Sequence, residues 1–141
     1  MKVVLRNVGA VVAGLLVLFV LVAAVEVFSN AVHPFPDGFN TESHEEMCRF
    51  IETYPAWVLG AAVAMWAVAA FAGTWTAAKI GNLYAAATVG LLTLAALIFN
   101  LAMLPYPMWF KVACLVAIPI ALNAGSRCCR RPLTRESGEV A

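Results

Sequence analysis

Val8 to Val25 is an unbroken apolar run, with no charge, amide or hydroxyl side chain inside it. As a helix rising ~1.5 Å per residue it reaches ~27 Å, close to the ~30 Å hydrocarbon thickness of a bilayer. Three more runs follow: Val58 to Ala72, with helical character expected as far as Ile80, then Leu83 to Leu104, then Phe110 to Asn123. A water-soluble fold of this size has no interior large enough to hide them. The chain of 141 residues is 63% hydrophobic and 12% charged, whereas soluble domains are about half apolar and a quarter charged. Lipid is therefore the expected solvent. The expected fold is all-α, a membrane bundle of four transmembrane helices with one short external amphipathic helix. The spans are placed at about 8–30, 56–80, 83–104 and 108–125, and the external helix at 41–54. Residues 1–125 would form this domain, and 126–141 a basic cytoplasmic tail that is expected to be disordered. A secretory signal peptide is the competing reading of the first run. Its apolar stretch is longer than the ~7–15 residues usual there, so a retained span is expected.

Proline, glycine and capping residues punctuate the runs. Pro34 and Pro36 end the first helix by restraining the preceding residue and removing amide donors. Asp37-Gly38 turns the chain. Ser43 and Glu46 fit a capping box for the short helix. Met47, Phe50, Ile51 and Tyr54 fall on one face of it, and Glu42, Glu45, Arg49 and Glu52 on the other. Pro55 suits the first turn of the next helix, and Trp57 and Trp109 mark membrane interfaces. Lys79-Ile-Gly81-Asn82 is a tight polar link, and Pro105-Tyr-Pro107 makes the following turn. Pro119 inside the last run is expected to kink it. Gly60/Ala64 and Ala69/Gly73/Ala77 have the four-residue spacing that lets helix backbones approach closely in lipid. Pro-x-Pro follows the first and third spans, and Pro-x-Trp opens the second and fourth. The general preference of proline for helix starts and tryptophan for interfaces accounts for this, without a duplicated hairpin.

The net charge of +1 gives no reason to expect a nucleic-acid partner. The placement of charge is more informative. With four spans, Lys2, Arg6, Lys79, Arg127, Arg130, Arg131 and Arg135 share one side, and only Arg49 and Lys111 fall on the other. Basic residues favour the cytoplasm. The expected location is the cell (inner) membrane, multi-pass, with both termini cytoplasmic. The loop with Asp37, Glu42, Glu45, Glu46 and Glu52 then faces outward.

Five polar residues from three spans are the candidate site: Glu26, Asn30, His33, Asn100 and Lys111. The topology places all of them toward the outer leaflet. Glu26, Asn30 and His33 follow helical spacing and share a face if the first helix runs that far. A carboxylate in a membrane segment costs a few kcal/mol unless it is paired, protonated or wet. Lys111 is the expected partner for Glu26, and a proton-sensitive ligand pocket is the alternative. His33 either caps the helix end or titrates near neutral pH. His44 and Cys48 could ligate a metal, but the second histidine of H-E-x-x-H is missing and no metal is expected. Cys48, Cys114, Cys128 and Cys129 contain no C-x-x-C pair, and a Cys48–Cys114 disulfide is not expected. Cys128 and Cys129 beside arginines suit palmitoylation in a eukaryote, or inert reduced thiols in a bacterium. No Ser/His/Asp set, glycine-rich phosphate loop or catalytic carboxylate pair can be assembled, so neither enzymatic chemistry nor a cofactor is expected.

The order Glu26-x-x-Ser29-x-x-x-His33-Pro34-x-Pro36, then Gly73-Thr-Trp-Thr-Ala77-Ala78, then Pro105-x-Pro107-x-Trp109 resembles small four-helix bacterial integral membrane proteins of unknown function. The resemblance covers the chain up to the basic tail and implies the fold, with no activity attached. Small multidrug-resistance transporters also have four spans and a glutamate in the first. This chain differs from them in its greater length, its extra external helix and the position of Glu26 near the outer end. The leading functional expectation is a non-enzymatic accessory or interaction subunit, with the lipid bilayer, a second copy or another membrane protein as partner. The alternative is a small proton-sensitive transporter or ligand-binding protein using the five polar residues. A lipid-modifying enzyme ranks last.

Overall fold

A computed structural model describes residues 2–128, and every helix in it can be traced to local sequence chemistry. Five helices follow one another: α1 (Lys2–Val32), α2 (His44–Glu52), α3 (Ala56–Ile80), α4 (Leu83–Met103) and α5 (Met108–Cys128). Four of them, all but α2, are long and apolar enough to cross a membrane. At ~1.5 Å per residue, 31-residue α1 is ~46 Å long, which exceeds a bilayer's hydrocarbon and requires tilt or projection. The basic tail expected from 126 extends past Cys128, and Cys129, Arg130, Arg131 and Arg135 lie outside the described residues.

The ends of the helices carry the signals that fix them. Asn82 caps α4 by accepting from the Ala85 amide at 3.1 Å. Pro55 precedes α3, and its carbonyl accepts from the Val58 amide at 3.0 Å. Gly38 takes φ +79° in the turn after Pro36, a conformation that favours glycine. Ser43 caps α2 through the Glu46 amide at 3.4 Å. The Glu46 carboxylate does not close a reciprocal box on Ser43, because the Ser43 amide already donates to Asn40 O at 3.1 Å. It accepts from the Asn40 amide at 2.8 Å instead. These turns occupy 40–43, and the Thr53 amide closes α2 onto Phe50 and Ile51, so α2 is shorter than the expected 41–54.

α3 is the hub. It packs against α1, α4 and α5, while α4 also touches α1 and α5. Among the described residues α1 and α5 share no backbone contact, and α2 makes none with any other helix. The α1–α3 contact is made backbone to backbone. A Cβ on Gly14 would lie 2.7 Å from Gly73 O and 2.9 Å from Ala77 Cβ, and one on Gly73 would lie 3.0 Å from Gly14 O. Ala69, Gly73 and Ala77 are therefore buried on this seam. Gly60 and Ala64, with the same spacing, are exposed, and nothing lies within 4 Å of a Cβ on Gly60. On another face of α3, a side chain at Gly125 of α5 would collide with Thr74 and the Phe71 carbonyl. Buried Thr74 directs its hydroxyl back to Ala70 O at 2.8 Å, which keeps that face smooth.

The two ends of the bundle differ. At one end small residues, Ala10, Ala77, Ala85 and Ala86, pack tightly around Val89. Toward the other, larger side chains fill the core, among them Val25, Leu59, Leu97, Phe110 and Ile118. The outside is as apolar as the inside: Phe19 is 70%, Leu91 69% and Phe99 68% exposed. A helix that is apolar all round suits a lipid surround.

The seam predicts a sharp contrast between two glycines of the same spacing class. Gly14→Ala overpacks the α1–α3 contact and should cost ~1–3 kcal/mol. Gly60→Ala should be neutral or stabilise by up to ~1 kcal/mol, since alanine is the better helix former. Thermal unfolding in maltoside micelles compares the two.

Candidate functional site

The loosely packed end borders a half-open cavity of about 600 Å³. Its wall comes from the C-terminal half of α1, the N-terminal half of α3, the last turn of α4, the link to α5 with the first turn of α5, and one face of α2. The apolar lining includes Val25, Ile51, Leu59 and Phe110. Glu26, Asn30 and Asn100 open onto this one space, together with Ser29. Glu26 and Asn30 are exposed, whereas Asn100 is half-buried.

His33 and Lys111 do not line it. The expected Glu26–Lys111 ion pair does not form; among the described residues the one ion pair joins Arg49 to Glu45 on α2. Lys111 sits at comparable depth in the chain's order, but depth does not fix which way a side chain points around its helix.

His33 has a different task. Its Nε2 lies 3.0 Å from Thr53 Oγ1. The Thr53 hydroxyl already donates to Phe50 O at 2.6 Å, so its single proton is committed and His33 Nε2 is the donor. The ring stacks on Phe50 at 4.9 Å and meets Tyr54 at 4.8 Å. Phe35 and Phe39 complete an aromatic cluster around Phe50, at 4.7 and 5.2 Å from its ring. Since α2 has no backbone contact with another helix, these side chains hold it to the end of α1. Cys48 Sγ approaches His44 Nε2 to 3.6 Å on α2, but no group of three metal-capable side chains gathers among the described residues.

Three residues of the site are silent in the sequence: Trp66, Tyr54 and Tyr106. Tyr54 reads as part of the apolar face of the short helix and Tyr106 as an aromatic in a turn, while Trp66 is one more apolar residue inside a long run. In the structure all three line the cavity. Trp66 meets Phe110 edge-on at 5.8 Å, and Tyr106 lies 4.6 Å from Phe110 on another side. Three buried side-chain polar atoms lack a hydrogen-bond partner among the described residues: Asn7 Oδ1, Trp66 Nε1 and Asn100 Oδ1. The last two belong to cavity-lining residues, so one donor and one acceptor are left unpaired beside the same space. An unpaired buried polar group costs ~1–3 kcal/mol.

Burial pushes the Tyr106 phenol up to about 12, helped by Tyr54, Cys114 and Glu26. Burial also raises Tyr54. Tyr106 therefore keeps its proton, while an unfolded chain would release it near the ordinary 10.0. Its contribution to stability is full below pH ~10 and is lost as pH rises toward 12. The loss is on the order of 2 kcal/mol. Tyr106→Phe should flatten the alkaline fall in unfolding temperature over that window, as measured by circular dichroism in micelles.

The chain matches no protein family, no curated protein and no solved structure with which it was compared.

Proposed function

We propose that this chain is a multi-pass integral membrane protein that holds a small ligand in the cavity at one end of its bundle, without chemically altering it. One observation carries the reading. Trp66 Nε1 and Asn100 Oδ1 are buried and unpartnered beside the same space. A donor and an acceptor left unpaired on two residues that border one cavity are what a ligand with complementary groups would satisfy, once a small side-chain shift brings them to its surface. Among the described residues lining the cavity no nucleophile is paired with a base, which favours binding over catalysis. The accessory-subunit reading ranks second. It would place a neighbour on the exposed Gly60 and Ala64 face, but an exposed glycine leaves no polar group unsatisfied.

The same proposal includes an orientation in the cell membrane. Lys2, Arg6, Lys79 and Arg127 belong to the end of the bundle away from the cavity, and Arg130, Arg131 and Arg135 follow in the sequence. This favours cytoplasmic termini. The cavity then opens near the outer leaflet, with α2 as an external amphipathic helix over its mouth. The five-residue cluster narrows to Glu26, Asn30 and Asn100 as ligand groups, with His33 as a tether.

Two experiments test these statements. Topology reporters fused after Thr41 and after Ala141 should read outside and inside respectively, and an outward C-terminus would overturn the orientation. A panel of amphipathic cationic, neutral and anionic compounds should contain members that raise the unfolding temperature of the wild type by several degrees. Ala62→Trp places a large ring in the cavity wall and should abolish the shift. A panel without effect, or an effect unchanged in Ala62→Trp, would sink the ligand reading.

A further inference from the structure

We propose that the ligand is an apolar molecule carrying an ammonium group. The inference rests on the ligand reading above and goes beyond it by assigning a chemical class. Three features of the lining lead to it.

The first is charge. Glu26 is the single ionisable carboxylate facing the cavity, and no lysine, arginine or histidine lines it among the described residues. Neither of the basic side chains expected near Glu26 lines the cavity. His33 is bound to Thr53, and Lys111 makes no ion pair with Glu26. A carboxylate with no protein counter-charge beside a low-dielectric space favours a cation and repels an anion.

The second is the ring content. Phe35, Phe50, Tyr54, Trp66, Tyr106 and Phe110 all contribute to the wall. Aromatic faces attract organic cations, more strongly when these are desolvated. The rest of the wall is aliphatic and accommodates an apolar body.

The third separates an ammonium with N–H groups from a quaternary one. Asn100 Oδ1 is a buried acceptor without a donor. A primary or secondary ammonium provides that donor. Trp66 Nε1 asks in turn for an acceptor on the ligand, such as an ether or hydroxyl oxygen. A phospholipid amine presents its ammonium next to a phosphate, and among the described residues no basic side chain lines the cavity to receive a phosphate. The ammonium chemistry is common to a free amine and to such a lipid, and the lining favours the free amine.

The test uses three probes with one carbon frame: 4-phenylbutylammonium, 4-phenylbutanol and 4-phenylbutyrate. Each is titrated calorimetrically into the full chain in maltoside micelles, which carry neither charge nor ammonium. The ammonium probe should bind at least tenfold tighter than the alcohol, and the butyrate weakest. Within Glu26→Gln the ammonium probe should bind no more than about twofold tighter than the alcohol, and Glu26→Asp should retain the preference. Asn100→Leu should weaken the ammonium severalfold while Glu26 is intact. Equal affinity of the three probes overturns the ammonium assignment and leaves the cavity as a binding site. Binding that persists in Ala62→Trp counts against both. Adding phosphatidylethanolamine to the micelles distinguishes the source: an unchanged probe affinity supports a free amine, and competition supports the lipid's ammonium.

Discussion

Everything in this bundle follows from the contact of α1 with α3 at Gly14 and Gly73. Between helices in lipid there is no hydrophobic gain, because acyl chains are as apolar as leucine. Association must come from dense van der Waals packing, which grows as backbones approach. A glycine on each side, with Ala77 next to them, permits the approach. Ala10, Ala85 and Ala86 extend the same small-residue packing to the end of the bundle. Larger residues replace them toward the opposite end, and there the helices leave room.

The cavity is the geometric result of that gradient. A bundle tight at one end and bulky at the other can leave space only where side chains fail to interdigitate. Here the space is bordered by the one carboxylate lying within an apolar run, by an amide and by an indole. The carboxylate is exposed, whereas the indole nitrogen and the Asn100 amide oxygen are buried without a partner. The aromatic cluster around Phe50 keeps α2 beside the opening through side chains alone. The wall of the cavity is thus partly made of an element that the helix backbones do not hold.

Helix ends were legible in the sequence, and rotation about each helix axis was not. Pro55, Asn82 and Pro107 immediately precede α3, α4 and α5, because their backbone and capping chemistry acts locally. Counting from such ends places Glu26, Asn30, Asn100 and Lys111 near one level of the bundle. Which of them look into a common space depends on rotation about each helix axis. A soluble helix encodes its rotation as an apolar stripe, but α1, α3, α4 and α5 carry no such stripe. Lys111 could therefore be placed at the right height and still point elsewhere. The same argument separates Ala69/Gly73/Ala77, on the seam, from Gly60/Ala64, on the surface. Spacing identifies a small stripe without naming its neighbour. Trp66 escaped because only its unpaired indole nitrogen sets it apart, and that is a tertiary fact.

The hub position of α3 bears on how the chain assembles during synthesis. Chains emerge N-terminus first. When α3 enters the bilayer, α1 is already there to receive it. α4 then finds both α1 and α3, and α5 finds α3 and α4. Since α1 and α5 never need to meet among the described residues, no span after the first waits for a later one. The order of translation is also an order of docking, so each newcomer is sheltered as it arrives and the last helix closes a structure already standing.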